Sequence, residues 1–436
     1  MSRTTRTTRT TRRTLRGTAA LALPAAVLGL AACSVPGSTA ADEGDSTGVT
    51  EDTVLVGTHT PLTGPAAAGY SSISAAAGAY FDYLNDQGGI NGRTIQFVVK
   101  DDGYNPANTQ TVVRELVTED EVFAILNGLG TPTHSSVLDY LDQNDVPDLF
   151  VASGSTSWDQ PEEYPWTYAF NVDYAREAKA LAHYAQDELD GSVYCVLGQD
   201  DDFGAEFQQG LEAVLGADGL ESVQTYSVSN EDVSAQIGAM QAAGCDTNFL
   251  ATVNGFTALA VGTAAQLGYQ AQWLSSSSGG DYPTLVGYLG EDIAPALLEG
   301  FVSTNYLSFS PDDPWAEHFR TVNEEYNEGA TFDGNTVYGM SVAYTFAEAL
   351  AKAGEDPTRE SLVEALESGD VVGAGIMPIG FSADSHAAYS GAGITSVTGG
   401  VQDYVGPIYT TDDAEGPVED FTGEAVPFAD DGVPQP

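Results

Sequence analysis

AILNGLGTPTHSSVLDYLDQNDVPDLFVASGST, residues Ala124 to Thr156, reads as a strand, a polar loop, a helix, a second strand and a second polar loop. The apolar runs 122–126 and 147–152 are short and bounded by Gly, Pro and Asp, as strands buried on both faces are. Between them, 135–144 has helical length, with Val137, Leu138 and Leu141 on one side. Each strand runs out into small hydroxyl residues and glycine, Gly130-Thr131-Pro132-Thr133 after the first and Ser153-Gly154-Ser155-Thr156 after the second. In an open α/β sheet, ligands bind at the carboxyl ends of strands. Two such loops side by side offer hydroxyls and free N–H groups, a cradle for a small anion such as a carboxylate. Ordinary βα turns of the same composition are the plain alternative.

The first 32 residues of the 436 differ from the rest. They carry Arg3, Arg6, Arg9, Arg12, Arg13 and Arg16, no acid, and then an apolar run from Ala19 to Ala32 that is too short for a stable membrane span. The run ends in Leu30-Ala31-Ala32-Cys33, which resembles the bacterial lipoprotein cleavage box. A mature chain lipid-anchored through Cys33 on the outer face of the cytoplasmic membrane is expected, with a plain signal peptide as the alternative. Arg12-Arg13 also fits a twin-arginine export signal. Removing the leader takes 6 of the 14 basic residues and none of the 63 acids, so the formal charge moves from -49 to -55. Such a chain repels polyanions, which argues against a nucleic-acid partner. Export permits a disulfide between Cys195 and Cys245, but sequence does not give their Cα geometry, and no CxxC supports zinc or thiol-redox chemistry.

From Thr53 an α/β alternation begins and barely stops. One run of strand–helix units reaches about residue 172 and a second starts with a helix at 174, which argues for two doubly wound parallel-sheet lobes. The helices predicted at 314–326, 336–353 and 359–367 need cover, most simply by return to the first lobe. The expected organisation is a leader at 1–32, a flexible tether at 33–52 and a first lobe at 53–172 completed by about 304–385. A second lobe at 173–303, completed by about 386–410, and a mobile acidic tail at 411–436 follow.

Several segments then resemble a known family. They are Pro61-Leu62-Thr63-Gly64-Pro65, Gly88-Gly89-Ile90-Asn91-Gly92-Arg93, Asp101-Asp102 with Pro106, the loop pair above, and Asp201-Asp202-Phe203-Gly204. Together, over about residues 50–410, they resemble the leucine/isoleucine/valine-binding proteins, the type I periplasmic-binding fold that feeds ABC importers. The resemblance implies two lobes joined by three hinge crossings, a small-molecule solute trapped by lobe closure, an ABC permease as partner, a monomer, and neither catalysis nor a cofactor. Carried over by position, the hydroxyl gripping a ligand carboxylate falls on Thr133. The backbone donor falls on Gly154 and the paired hydroxyl on Thr156, with Ser155 between. The closing aromatic falls on Phe203, Tyr70 walls the side-chain pocket, and Phe256 is the candidate for a further aromatic.

One departure concerns ligand class. The acid that pairs with an amino-acid ammonium in the family falls on Ser277, which cannot neutralise a buried charge. Asp281, or one of Asp200, Asp201 and Asp202, is a possible substitute. Otherwise the solute lacks the amine: an aromatic or aliphatic carboxylate, an amide or a urea. The resemblance therefore points to a small carboxylate-bearing solute, a branched-chain or related amino acid first, and a ligand sensor on the same fold is the alternative. No metal site is expected: His59, His134, His183, His318 and His386 lack metal-ligand spacing. His134 either touches ligand or starts a helix, and Trp158 either lines the cleft or packs a lobe. No nucleophile–base–orienter set marks a hydrolase.

Overall fold

The computed structural model describes residues 44–429 and 431–435. The leader at 1–32, the lipidation site Cys33 and the tether as far as residue 43 lie outside the described residues. Strands β1 (Thr53–Thr60), β2 (Thr94–Asp101), β3 (Ala124–Leu126), β4 (Asp148–Val151) and β5 (Thr167–Ala169) form an all-parallel sheet in the order β2-β1-β3-β4-β5. The short strands β3 and β4 are buried along their whole length, which is why they read as unbroken apolar runs and not as alternation.

A second sheet holds β6 (Tyr194–Gln199), β7 (Leu220–Tyr226), β8 (Thr247–Ala251), β9 (Gln272–Ser275), β10 (Val302–Asn305), β11 (Gly391–Thr398), β12 (Val401–Thr410) and β13 (Glu419–Asp420). Its order is β13-β12-β11-β10-β9-β8-β6-β7, parallel from β7 to β10 and antiparallel from β10 to β13. The five parallel strands of both lobes follow one order, 2-1-3-4-5 within each, which puts a switch point beside the first strand of each lobe.

After β10 the chain leaves the second lobe. The helices Pro314–Tyr326, Gly334–Lys352 and Arg359–Glu367 join the helix Ala67–Asp86 in the core of the first lobe, where Tyr80, Phe81, Trp315, Phe319 and Phe346 are fully buried. Each of the three is started by a side chain that accepts backbone N–H bonds, Asp313, Asp333 and Thr358 respectively. The chain then returns to the second sheet at β11. With the passages after β5 and after β10, that makes three crossings between lobes.

Cys195 in β6 and Cys245 just ahead of β8 form a disulfide, with Cα atoms 6.0 Å apart and a sequence separation of 50. On chain entropy a loop of that length is worth about 4 kcal/mol.

Three sequence expectations differ from the structure. The helix read at 135–144 is two short pieces, Thr131–Ser135 and Leu138–Asp142, because Thr133, Ser135 and Ser136 bond their hydroxyls back to carbonyls of the preceding turn. The tether is docked from Asp45, whose carboxylate meets the buried Arg359 at 2.9 Å. The acidic tail is docked too: β13 pairs with β12, Asp412 meets Lys179 Nζ at 2.6 Å, and Phe428 stands edge-on to Trp315 at 4.9 Å. A buried lysine needs a counter-charge, and composition alone does not reveal that the tail supplies it.

Candidate functional site

Beneath the loop after β3 runs a buried chain of four titratable side chains. Asp102 Oδ2 meets His59 Nδ1 at 2.9 Å, His59 Nε2 meets His134 Nδ1 at 3.0 Å, and His134 Nε2 meets Asp148 Oδ2 at 2.7 Å. All four residues are fully buried. His59 Nδ1 and His134 Nε2 each face a carboxylate and the two rings meet at their remaining nitrogens, while burial, opposed by the bond to Asp102, lowers the His59 pKa from its ordinary value. A side chain at Gly128 would put its Cβ 2.5 Å from both rings. The chain of bonds ties the ends of β1, β2 and β4 to the short helix Thr131–Ser135 and so holds the loop above it.

That loop and its neighbour after β4 form the predicted cradle. Gly130 sits at φ 102°, a conformation open to glycine, and turns the chain into the helix. Phe150 in β4 takes φ 61°, where the register against β5 shifts; this bulge redirects the strand end. The hydroxyls of both loops are bonded within the protein. Thr131 Oγ1 lies 2.7 Å from Ser153 Oγ and 3.1 Å from the Tyr174 hydroxyl. Thr133 Oγ1 donates to the carbonyls of Leu129 and Gly130 in its own turn. Ser155 Oγ and Thr156 Oγ1 donate to Glu206 Oε1 at 2.8 and 3.2 Å, and Thr156 N donates to Glu206 Oε2 at 3.0 Å. The second loop does receive a carboxylate, but one from the second-lobe helix Asp202–Leu215. Burial, opposed by these bonds, pushes the Glu206 carboxyl up to about 7. Burial likewise raises the Tyr174 hydroxyl to about 12.

Between the lobes lies a cavity of about 90 Å³, lined from the carboxyl ends of both parallel sheets. Its aromatic wall is Tyr70, Tyr104, Tyr174, Phe203, Tyr306 and Tyr338, with the Tyr174 and Phe203 rings stacked at 4.1 Å. Asn254, Ser277, Asp281 and Thr304 supply polar lining from the second-lobe strand ends, and no lysine, arginine or histidine lines it. Glu177, in the first turn of the helix Tyr174–Glu188, is fully buried behind the lining residues Ser277 and Thr304 and does not itself line the cavity. Its Oε1 accepts from Ser277 N at 3.2 Å and Thr304 Oγ1 at 2.9 Å, while Oε2 has no partner. Burial pushes its carboxyl up to about 7. Asn254 Oδ1 is a second buried acceptor without a partner. Asp281 is occupied: it accepts from Gly334 N and Thr284 N, each at 3.0 Å, and burial with Asp333 nearby raises it to about 6.

Hydrogen bonds close the cleft from side to side. Tyr70 OH donates to Ser278 O at 2.6 Å and accepts from Asn254 N at 3.3 Å. Together with Glu206 on Ser155 and Thr156, they bridge the lobes on both sides of the cavity.

Of the residues read from sequence, Tyr70, Phe203, Ser277 and Asp281 line the cavity, whereas Thr133, Gly154, Ser155, Thr156 and Phe256 do not. Phe256 is buried and stacked on Tyr226 at 4.1 Å. Gly154 packs under Tyr174, where a Cβ would come 2.8 Å from the ring. Trp158 is buried edge-on to His134, Asp201 caps the helix that carries Phe203, and neither Trp158 nor His134 reaches the lining. Sequence reasoning missed Tyr174, Glu177, Glu206 and Asn254. Glu177 reads as an ordinary first-turn acid on a helix, and the bonds of Glu206 span 50 residues.

A family model described as periplasmic binding protein matches residues 53–402. The chain is 24% identical over 324 residues to Leu/Ile/Val-binding protein homolog 1 of Brucella suis, covering 72% of this chain and 83% of that one. Its fold is similar to that of a branched-chain amino acid ABC transporter protein from Thermus thermophilus with bound valine, at TM-score 0.74 and 21% identity over 84% of this chain and 98% of that one. It is equally similar to a fatty acid ABC transporter substrate-binding protein from Thermomonospora curvata, at TM-score 0.74 and 24% identity over 85% and 96%.

Proposed function

The chain belongs to the periplasmic binding protein family, and from that premise we propose that it is the exported solute-binding component of an ABC importer. It closes its two lobes over one small organic solute and presents the closed form to a membrane permease. The observation that carries this reading is the cavity at the facing carboxyl ends of two parallel sheets, bridged by Tyr70 on one side and Glu206 on the other. Strand ends at a switch point are where doubly wound sheets bind ligand, and hydrogen bonds between lobes stabilise the closed form. Anchoring through Cys33 would keep the binder beside its permease.

The cavity, about 90 Å³, has room for about six to nine water-sized groups at roughly 10–15 Å³ each. That suits a solute of amino-acid size, branched-chain members included. Relatives of equal structural similarity carry valine and fatty-acid descriptions, so the lining decides the ligand and the fold does not.

A thermal-shift panel on the mature chain tests the reading, with branched-chain, polar and aromatic amino acids beside their deaminated acids, amines and amides. A true ligand at a hundredfold excess over its Kd adds about 2.7 kcal/mol and raises the Tm. The expected result is a shift with one chemical class. Turnover of a panel compound, with no shift from any of them, would contradict a binding role.

A further inference from the structure

We infer that the acidic tail is a strap across the hinge: fastened to the second lobe through Thr411, Asp412 and Ala414 and to the first lobe through Phe428, Asp431 and Gly432, it is a fourth connection between the lobes and limits their opening. The inference rests on the lobes moving about a hinge, as proposed above, and not on which solute they hold.

The second-lobe end is fastened by charge. The helix Tyr174–Glu188 follows directly on the first crossing and carries Lys179, whose side chain is 1% exposed. All three N–H donors of its ammonium go to the tail: to Asp412 O at 2.9 Å, to Asp412 Oδ1 at 2.6 Å and to Ala414 O at 2.8 Å. Arg176 on the same helix donates from Nε to Thr411 O at 2.9 Å. A buried ammonium without such partners is costly, so this end stays down. The pairing of β13 with β12 follows, and Phe421 N extends it by donating to Ile408 O at 2.8 Å.

The first-lobe end is fastened by packing. Phe428 stands edge-on to Trp315 at 4.9 Å, and Phe428, Ala429 and Val433 pack against the first-lobe core. Tyr80, fully buried in the helix Ala67–Asp86, donates its hydroxyl to Gly432 O at 2.7 Å, and Tyr83 on the same helix donates to Asp431 O. Gly432 takes φ 66°, and a Cβ there would run into the His318 ring, so the seat favours glycine.

Between the two ends, the seven residues 421–427 form no helix or strand, and 422–425 are exposed. The helices that hold the ends belong to different lobes. When one lobe turns against the other, either this short stretch gives or an end comes away. Both ends are seated while the cleft is closed, so their contacts favour closure. The match to the family model runs to residue 402, ahead of the tail, and the strap is therefore carried by sequence outside the matched scaffold.

X-ray scattering on the ligand-free mature chain tests the inference. Inserting six Gly and Ser residues between Glu424 and Ala425, both exposed, adds about 20 Å of slack and touches neither end. The insertion is expected to raise the radius of gyration above that of wild type. It should leave the Tm within about 2 °C, since lengthening a surface loop costs little. Gly432→Ala unseats the first-lobe end alone. It is expected to shift the scattering profile the same way, and it keeps the test available should the insertion fold poorly. A profile unchanged from wild type in either folded variant would overturn the inference, and so would a lowered Tm with no change of profile, which marks the tail as core packing only. The solute-binding reading is decided separately by the thermal-shift panel, which neither variant enters.

Discussion

On the first-lobe side of the cleft, the hydroxyls of Thr131, Thr133, Ser153, Ser155 and Thr156 are all bonded within the protein; on the second-lobe side, Asn254 in the cavity wall and Glu177 behind it each keep one buried oxygen unpaired. The first wall is a finished structure, braced from below by the Asp102–His59–His134–Asp148 chain. The second leaves its hydrogen bonding incomplete in a place where an unmet acceptor destabilises the fold. The difference teaches that a loop's composition says what it is able to bind, and the remainder of the fold decides whether that capacity is still open.

The comparison can be broken or sharpened by substitution. The largest effect is expected below the finished wall. His134→Leu takes the ring partner from both His59 Nε2 and the buried Asp148 Oδ2, so urea unfolding should show a loss of about 3–5 kcal/mol. A loss under about 1 kcal/mol would mean that the first wall is not braced in this way.

Glu177→Gln should act in the opposite sense on stability. The folded carboxyl titrates near 7 against an ordinary value of 4.5, because burial favours its neutral form. A raised folded pKa means that the proton stabilises the fold. Its contribution is complete below about pH 4.5 and is lost as the pH climbs through about 7. Tyr306, Thr304 and Ser277 face this carboxyl from other elements and Asp173 from its own; the neighbouring acid adds to the upward shift and no base opposes it. Melting curves should therefore show the variant more stable than wild type at pH 8, by up to about 3 kcal/mol, and level with it at pH 4. No gain at pH 8 would show that the charge is compensated.

Glu206→Ala removes the carboxylate that fills the second loop. Three charge-assisted bonds go, two to hydroxyls and one to a backbone N–H. The expected cost in the ligand-free protein is about 1–3 kcal/mol, with X-ray scattering shifting toward an open form. An unchanged scattering profile would exclude Glu206 as a latch between the lobes. The smallest effect belongs to Thr133→Val. Its hydroxyl bonds only carbonyls of its own turn, so stability should fall by about 1 kcal/mol or less, with ligand affinity unchanged by calorimetry. A fall in affinity would return a carboxylate to the cradle.

Much of the fold was legible in sequence because it rests on local pattern. The apolar runs at 122–126 and 147–152, the helical spacing of 314–326 and the break near 172 each predict an element, and the unpaired helices after 304 predict the return to the first lobe. The site was less legible. Tyr70 and Phe203 line the cavity, and their loops carry a recognisable order. Thr133 and Thr156 looked equally suited to a ligand, yet their hydroxyls turn to Leu129 and to Glu206. The partner of Thr156 lies 50 residues away, where nothing local records it, while Thr133 turns back on its own helical turn, a bond that composition does not distinguish from a bond to ligand. Glu177 shows the converse: a first-turn acid on an unremarkable helix comes to stand beside Ser277, 100 residues on, because β9 and β10 end against that helix.

The most direct test is a crystal structure of the mature chain with the compound of the thermal-shift panel that raises its Tm most. The account predicts the compound in the cavity between Tyr70, Phe203 and Asn254, with the Tyr174 hydroxyl still on Thr131 and Ser153. A ligand carboxylate on Gly154–Thr156, with Tyr174 and Glu206 displaced, would contradict it.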